Sequence, residues 1–336
     1  MLQEARAAAD CVARQLAADE ELYAALGWAL RGAPPTVSLT VARGSSDHAA
    51  AYAAYLIMAR LGRVVASLPM SLLTLYGAPL QAAGTLALAV SQSGQSPDVV
   101  EPLRYFRRGG GTTVALVNDA QSPLAQAAEW VLPLHAGAER SVAATKSFIA
   151  SLVAGARLVA HWENNAPLQA ALRQLPDALQ RAAQTDWQPA LDLLAPAHSA
   201  MVVGRGPGFP IALEAALKLK ETSALQAEAF SGAEIQHGPM ALVEPGYPLL
   251  ILAPRGPARQ GLLMLAAAMR QRGARVLLAA AADVPDRDLT LPTAPTPELD
   301  PICAVQAFYG LAAQLSVARG LNPDQPRHLS KVTRTQ

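Results

Sequence analysis

The feature that most constrains the fold of this chain is an internal repeat. An apolar segment suited to a strand, Val37–Val41, leads into a loop with Arg43, and Ser199–Val203 leads into a loop with Arg205, an offset of 205 − 43 = 162. The same offset aligns LALAV (86–90) with PLLIL (248–252) and TTVALVN (112–118) with ARVLLAA (274–280). Three matches at one offset indicate a duplicated α/β unit of about 140–160 residues per copy, with chance similarity of two ordinary α/β halves as the alternative.

Within each copy, strand-like and helix-like segments alternate. The strands predicted in the first copy are Val37–Val41, Thr85–Val90, Thr113–Val117 and Trp130–Leu134. The predicted helices are 1–31, 47–61, 97–108, 141–162 and, in the second copy, 209–225, with a Pro-punctuated, partly helical connector at 163–196. Alternation favours a parallel sheet covered on both faces. We therefore predict an α/β fold with two tandem domains, 20–165 and 185–325, each a doubly wound, mainly parallel, flavodoxin-like sheet flanked by helices, followed by a tail at 326–336.

Composition excludes several classes of function. Twenty-seven basic and 26 acidic residues leave a net charge of +1, so no basic surface for nucleic acid is expected. Cys11 and Cys303 stand far apart, which predicts neither a disulfide framework nor a zinc cluster and favours a reducing cytoplasm. The charged N-terminal segment does not resemble a signal peptide, and no uninterrupted apolar run reaches about 18 residues, so no membrane span is expected. We expect no metal and no cofactor.

A serine-rich loop follows the second predicted strand. The segment SQSGQSP, residues 91–97, packs small hydroxyl residues around Gly94 immediately before a helix. Helix N-termini beyond the carboxyl ends of parallel strands present free N–H groups to phosphate, and serine hydroxyls add donors. Ser45 and Ser46 follow the preceding strand in the same way. A phosphate monoester is therefore predicted as ligand, against the alternative that Ser96 is only a helix cap.

The second copy carries a different set of polar residues. Glu214, Lys218 and Glu221 fall on one stripe of a predicted helix, which favours either surface salt bridges or a catalytic group. His237 lies in the sequence HGP of the loop that follows, where it is either structural or a proton shuttle. The polar tail 322–336, which contains Lys331, either frays or folds over a site.

Five motifs together resemble a known family. They are SQSGQSPD (91–98), AERSVAATKSF (138–148), EAALKLKE (214–221), AEAFSGAEIQHGPMAL (227–242) and DQPRHLSKVT (324–333). In this order along nearly the whole chain, they resemble the double-SIS (sugar isomerase) proteins, specifically the isomerase half of glucosamine-6-phosphate synthase and its stand-alone relatives. The resemblance implies two tandem SIS domains, a sugar 6-phosphate substrate, no metal, and a homodimer with shared active sites.

The resemblance also implies roles for individual residues. It assigns phosphate binding to Ser91, Gln92, Ser93 and Ser96, the sugar side to Ser45 and Ser46, and the sugar pocket lining to Glu139 and Val142. It assigns proton transfer between C1 and C2 to Glu221, orientation of hydroxyls or of the enediol to Lys218, ring opening in the neighbouring subunit to His237, and a Schiff base to Lys331.

Two departures from the synthase suggest the direction of the reaction. We expect no glutaminase domain before these motifs, and HLSKVT stands where the synthase has the longer NLAKSVT. We therefore expect a deaminase that converts glucosamine 6-phosphate and water to fructose 6-phosphate and ammonia. The alternatives are a related isomerase or deglycase, acting on galactosamine 6-phosphate or a fructose-amino-acid 6-phosphate, and a sugar-phosphate sensor without catalysis.

Overall fold

A computed structural model describes residues 1–331, and residues 332–336, which end the predicted tail, lie outside the described residues. The described chain divides into two compact units. We call Asp10–Glu139 and Lys146–Arg173, together with Ser330 and Lys331, the first-sheet unit. We call Met1–Ala9, Arg140–Thr145 and Gln174–Leu329 the second-sheet unit.

Strands and helices alternate along both units. The strands are β1 (Val37–Val41), β2 (Val65–Ser67), β3 (Thr85–Ser91), β4 (Thr112–Val117), β5 (Trp130–Pro133), β6 (Ser199–Gly204), β7 (Gln226–Ser231), β8 (Pro248–Ala253), β9 (Arg275–Ala280) and β10 (Leu289–Thr290). The helices are α1 (Leu2–Arg6), α2 (Ala8–Ala17), α3 (Glu20–Gly32), α4 (Ser45–Leu61), α5 (Ser71–Thr74), α6 (Pro97–Arg108), α7 (Pro123–Ala127), α8 (Lys146–Trp162), α9 (Ala166–Arg173), α10 (Leu175–Ala183), α11 (Gln188–Leu194), α12 (Phe209–Ser223), α13 (Arg259–Gln271) and α14 (Asp300–Ala318). Short 3₁₀ turns occupy Gly206–Gly208, Glu234–His237, Pro239–Leu242 and Pro297–Leu299.

The two sheets have the same topology. The first has the strand order β2-β1-β3-β4-β5 and the second β10-β9-β8-β6-β7, and all their strand pairs are parallel. Numbered within its own copy, the second order is 5-4-3-1-2, which is the first order, 2-1-3-4-5, written from the other edge. This is the doubly wound order of flavodoxin-like sheets, so the predicted fold class is confirmed.

Burial on both faces explains why the central strands are mostly apolar on both of their faces. In β3, six consecutive residues, Thr85–Val90, are buried, as expected for a strand covered by helices on either side. Val41, Ala87, Ala89, Ala115 and Val117 belong to the core cluster of the first-sheet unit. A corresponding cluster in the second-sheet unit contains Val203, Ile251 and Leu278.

Several predicted boundaries were wrong. The predicted helix 1–31 is three helices. The break between α2 and α3 lies at Asp19, which has a left-handed φ of 58° and binds His135 at 2.5 Å. The helix predicted from Ser141 begins at Lys146, where the Glu139 carboxylate accepts the backbone N–H of Ser147 at 3.2 Å. Most of strand β7, Gln226–Ser231, lies at the start of the segment 227–242, which the sequence predicted as a weakly helical loop.

The segment Pro297–Ala318, which contains α14, is the described helix that is long and apolar enough to cross a membrane by length and composition. Its most apolar window is 78% buried within the protein. Residues along most of α14 are buried, including Phe308 and Tyr309. Such burial is typical of a helix at the centre of a packed core.

Replacing Gly27 by alanine is predicted to destabilise the first-sheet unit. A Cβ at Gly27 in α3 would lie 2.5 Å from the backbone oxygen of His161 in α8, and backbone atoms cannot rotate away. The two helices would have to separate, so the free energy of unfolding should fall by about 2–3 kcal/mol. Thermal and urea unfolding followed by circular dichroism measure this change.

Gly310→Ala is the matched control. Gly310 lies in a helix too, but a Cβ there would meet no atom within 4 Å. Since alanine is the better helix former by about 1 kcal/mol, this variant should be unchanged or more stable. Equal losses in both variants would contradict the close packing of α3 on α8.

Candidate functional site

The serine-rich loop lies where the order of strands reverses in the first sheet. Strands β1 and β3 are neighbours, with Val41 opposite Ala89, and the chain leaves both at the carboxyl edge of the sheet. Arg43–Ser46 follow β1, and Ser91–Ser96 follow β3. In doubly wound sheets this switch point is where ligands bind, so the predicted phosphate loop occupies the position that the topology favours for a ligand.

The hydroxyl groups of this loop keep their donor capacity. Ser91 Oγ accepts the N–H of Gly94 at 3.0 Å, and Ser93 Oγ accepts that of Gln95 at 3.4 Å, so both oxygens act as acceptors. Ser96 is the N-cap residue of α6, but its side chain makes no capping hydrogen bond. Because a serine hydroxyl can also donate, these three groups can still bind an anion. The alternative in which Ser96 only caps its helix is not what the structure contains.

Gly94 allows the tight turn of this loop. Its φ is +64°, and a Cβ at this position would lie 2.2 Å from Ser122 Oγ. Gly94 is itself buried, while Ser91, Gln92, Ser93 and Ser96 are half-buried around it. The backbone therefore turns closely enough to leave the hydroxyl residues at the surface of the switch point.

Ser45 and Ser46 lie in the first turn of α4, half-buried, after Gly44. Beside them is a cation that the sequence interpretation did not assign to the site: Arg43 Nη2 lies 3.4 Å from Oδ2 of Asp98, a buried residue in the first turn of α6. The Arg43 side chain is 56% exposed. The sequence could have indicated a role for Arg43 in the site, because Arg43 is the only cation in the loop between β1 and α4. The sequence could not have indicated Asp98 in the same way, because acidic residues are common in the first turn of any helix.

Glu139 and Lys331 form an ion pair in the first-sheet unit. Lys331 Nζ lies 3.0 Å from Glu139 Oε2, and the Glu139 side chain is fully buried. The same carboxylate accepts the hydroxyl of Ser147 at 2.6 Å, so its position is fixed from two sides. The predicted tail lysine is therefore held against a predicted pocket residue, and Lys331 is not part of a frayed end.

Glu214, Lys218 and Glu221 form a buried stripe on α12 in the second-sheet unit. Lys218 is 1% exposed, and its Nζ lies 3.3 Å from Glu214 Oε1 and 2.5 Å from Glu221 Oε2. Glu214 is fully buried and accepts the hydroxyl of Tyr309, from α14, at 3.2 Å. The alternative of surface salt bridges is therefore excluded for these residues.

The two carboxylates keep Lys218 charged. Burial by itself would lower the pKa of this ammonium group, but the negative charges of Glu214 and Glu221 outweigh burial and raise the pKa above its ordinary value of 10.5. A permanent cation thus lies between an inaccessible carboxylate and one that reaches the surface, since the Glu221 side chain is 21% exposed. Of the two carboxylates, Glu221 is the one that a ligand can reach.

A cavity of about 270 Å³ opens beside Glu221. Its walls come from the end of α12 and from the segment after α14, including Arg327 and His328. His328 has a left-handed φ of 62°, which is uncommon for a residue with a Cβ. The cavity and its cationic wall were not predicted, because the sequence gives no indication that residues 321–328 fold back on α12.

The remaining predicted site residues lie apart from this stripe. His237 ends the 3₁₀ turn Glu234–His237 and is exposed, and among residues 1–331 no hydrogen bond from its imidazole to Glu221 is found. Val142 is half-buried, and its N–H donates to the backbone oxygen of Asp324 at 3.1 Å. No group of three or more His, Cys, Asp or Glu side chains suited to a metal ion occurs in the part of the chain that the structure describes.

Comparison with known proteins identifies relatives for both units. A family model described as the SIS domain matches residues 38–160 and 193–318. Glutamine--fructose-6-phosphate aminotransferase [isomerizing] from Zymomonas mobilis is 35% identical over 309 residues, which cover 87% of this chain and 51% of that protein. This chain thus spans about half the length of that aminotransferase.

Solved structures give the same result. A candidate phosphosugar isomerase from Silicibacter pomeroyi DSS-3 is 39% identical and has a TM-score of 0.91, with 96% of this chain and 99% of that chain covered. The C-terminal domain of glucosamine-fructose-6-phosphate aminotransferase from Francisella tularensis shares the fold, with a TM-score of 0.86 at 23% identity and 97% of each chain covered.

Glu214→Gln is predicted to destabilise the second-sheet unit strongly. It removes one of the two charges that compensate buried Lys218, so the free energy of unfolding should fall by about 3 kcal/mol or more. Tyr309→Phe, which removes one hydrogen bond to Glu214, should cost about 1 kcal/mol. Urea unfolding at neutral pH measures both. Because folding raises the pKa of Lys218, the ion pairs contribute fully below pH 10.5 and are lost only as the pH rises through the folded-state value.

The control is Glu101→Gln. Glu101 pairs with Arg104 three residues further along α6, but both side chains are largely exposed, so its loss should change stability by well under about 1 kcal/mol. If Glu214→Gln were as mild as Glu101→Gln, the compensation of Lys218 by Glu214 would be disproved.

Proposed function

The chain belongs to the SIS domain family, and we propose that it is a phosphosugar isomerase that deaminates glucosamine 6-phosphate. The products would be fructose 6-phosphate and ammonia. The similarity to aminotransferases that are named as isomerizing supports the substrate class. So does the 39% identity with a candidate phosphosugar isomerase along nearly the whole chain.

The observation that carries the proposal is the stripe Glu214–Lys218–Glu221. An aldose–ketose conversion needs one carboxylate that removes a proton from C2 and returns it at C1. Glu221 is accessible, and buried Lys218 holds it at 2.5 Å, which fixes the carboxylate without sealing it from substrate. Fully buried Glu214 compensates Lys218 from the other side, so Glu221 can take up a proton without leaving the buried ammonium group unpaired.

The serine-rich loop would bind the phosphate of this substrate. Its hydroxyl groups can donate, and the N-terminus of α6 adds a partial positive charge. Ser45, Ser46 and Arg43 lie at the same sheet edge and would bind neighbouring oxygens. Fixing the phosphate restricts where C1 and C2 can lie, which contributes to the rate by positioning alone.

The proposed reaction consists of ring opening, proton transfer between C2 and C1, and hydrolysis of an imine. His237 would assist ring opening by moving the proton of the anomeric hydroxyl to the ring oxygen. Glu221 takes the C2 proton while the substrate ammonium group gives a proton to the aldehyde oxygen at C1, which forms an enolamine. Glu221 then returns its proton to C1, which leaves a hydroxyl group at C1 and a protonated imine at C2. Water adds to the imine carbon, the nitrogen takes a proton, and ammonia departs with formation of the C2 ketone.

Lys331 supports deamination over plain isomerisation. After its ammonium group gives a proton to Glu139, the amine of Lys331 would add to the C2 imine, expel ammonia and form a Schiff base. Water would then hydrolyse the Schiff base and return the free lysine. The ion pair with buried Glu139 at 3.0 Å holds this amine in one place. Simple transfer of a proton between C1 and C2 would not need an amine.

The test is incubation of the purified chain with glucosamine 6-phosphate. Ammonia and fructose 6-phosphate should appear in equal amounts, each measured by its own coupled assay. Glu221→Gln should lower kcat by about 10²–10⁴, because the base is lost while the substrate contacts remain. Glu101→Gln, which removes an exposed helical carboxylate, should keep full activity.

Other outcomes select among the alternatives. Glucosamine 6-phosphate would not be the substrate if it were inert while galactosamine 6-phosphate released ammonia. The same conclusion would follow if a fructose-amino-acid 6-phosphate released its amino acid instead. Interconversion of hexose 6-phosphates without ammonia would leave an isomerase. Sugar phosphate binding without turnover, unchanged in Glu221→Gln, would leave a sensor.

The proposal includes a homodimer with shared sites, in which His237 acts on substrate bound by the other protomer. His237→Ala and Glu221→Gln protomers should each be inactive alone. Mixed dimers, verified by two affinity tags, should recover about one quarter to one half of the normal activity, because one of the two sites then receives both intact groups. Verified mixed dimers that stay inactive would show that each site is built from one chain.

A further inference from the structure

A second group of cations surrounds a cavity that takes no part in the proposed reaction. Four helices of the first-sheet unit, α2, α3, α8 and α9, enclose a cavity of about 310 Å³. Its lining includes Arg157 and His161 from α8 and Arg173 from α9, with Glu20 from α3 as its one carboxylate. None of the proposed catalytic or phosphate-binding residues lies in this lining.

Arg157 is buried with part of its hydrogen-bonding capacity unused. It is 2% exposed, and its hydrogen bonds to described residues reach the backbone oxygen of Gln15 and Oε2 of Glu20, each at 2.7 Å. A guanidinium group has five N–H donors, so these two bonds do not use them all. The flat face of the group lies 4.2 Å from the ring centre of Tyr23, which leaves its edge for ligands.

Two orphaned polar atoms lie on residues that contact Arg157 but do not line the cavity. Gln15 Oε1 and the Tyr23 hydroxyl are buried and lack a hydrogen-bond partner in the structure as described. Each belongs to a residue that contacts Arg157 directly. A buried polar atom without a partner costs about 1–3 kcal/mol, so these atoms show that the surroundings of Arg157 are polar, while the cavity itself is defined by its charged lining.

The fixed positive charge of the cavity comes from its arginines. Burial lowers the pKa of His161 against the opposing effect of Glu20, and Arg157, Arg31 and Arg173 lower it further. His161 is therefore largely neutral at pH 7 and can donate or accept a hydrogen bond. Two guanidinium groups in the lining face a single carboxylate, that of Glu20, whose side chain is 58% exposed and able to move.

We propose that this cavity is a separate binding site for a phosphorylated small molecule, with the phosphate paired to Arg157 and Arg173. A monocarboxylate would give Arg157 nothing that Glu20 does not already provide. A phosphate carries a charge of about −1.5 to −2 and three acceptor oxygens, so it can displace Glu20 and engage both arginines. The volume exceeds that of phosphate alone, and Leu16 and Leu172 supply apolar wall for the organic part.

The test measures arginine reactivity with inorganic phosphate as the probe. Phenylglyoxal modifies accessible guanidinium groups, and peptide mass spectrometry reads the rate at each arginine. Saturating phosphate should slow modification of Arg173 by roughly threefold or more, because a bound anion occupies its N–H groups. Arg272, an exposed arginine at the end of α13, is the control and should react at the same rate with and without phosphate.

Two variants separate this site from the serine-rich loop. Glu20→Gln removes the competing carboxylate, so half-protection of Arg173 should need roughly fivefold to tenfold less phosphate. A Ser93→Ala, Ser96→Ala double variant should keep the protection of Arg173. Loss of protection in the serine variant would assign the effect to that loop and overturn the proposal.

Two other outcomes would also overturn it. If Arg173 were modified at the same rate with and without phosphate, in both the wild-type protein and Glu20→Gln, the arginines of this cavity would have a structural role only. Equal protection by acetate at the same ionic strength would remove the preference for phosphate. Since no turnover is measured, failure here leaves the proposed deaminase intact, and failure of the deaminase leaves this site intact.

Discussion

A buried ammonium group, that of Lys218, sets the strictest requirement in the second-sheet unit. A lone charge in a protein interior is strongly destabilising, so α12 carries a carboxylate one turn to either side of Lys218. The buried one, Glu214, also accepts a hydroxyl group from Tyr309 of α14. The end of α12 is fixed as well: Ser316 donates to the backbone oxygen of Thr222 at 2.6 Å, and Arg319 donates to that of Ser223 at 2.7 Å. The position of Glu221 is thus determined by the packing of two helices rather than by a loop.

Parallel strands impose a different constraint on the first-sheet unit. Because every strand ends at the same edge, the loops after β1 and β3 become neighbours, although about 50 residues separate them in sequence. That edge can be polar without weakening the sheet, whose residues are buried along β3 up to Val90. A hydroxyl-rich loop and Arg43 can therefore stand directly beyond the most apolar strand of the unit.

The sequence predicted the fold better than it predicted the site. Apolar runs bounded by turn residues located β1, β3, β4, β6, β8 and β9 to within a residue or two, because burial on both faces demands such runs. Short edge strands such as β2 and β10 were missed, since two or three residues carry no pattern. The motifs singled out Glu221 and Lys331 in the sequence. However, neither the burial of Glu214 nor the contact of Lys331 with Glu139 follows from the spacing of residues along the chain. Both depend on packing between distant segments.

The two copies of the duplicated topology carry different polar residues in the loop after the third strand. In the second sheet the loop after β8 corresponds to the serine-rich loop, and there Arg255 binds Asp300 through two nitrogens at 2.8 and 2.7 Å. Asp300 is 3% exposed and also accepts the N–H groups of Arg255 and Ala294, so an internal carboxylate already occupies the donors at this edge. In the first sheet the corresponding loop carries serine hydroxyls, and Arg43 lies 3.4 Å from Oδ2 of Asp98. The two copies therefore place different polar groups at the same switch point, an arginine–carboxylate pair in the second sheet and hydroxyl residues beside Arg43 in the first.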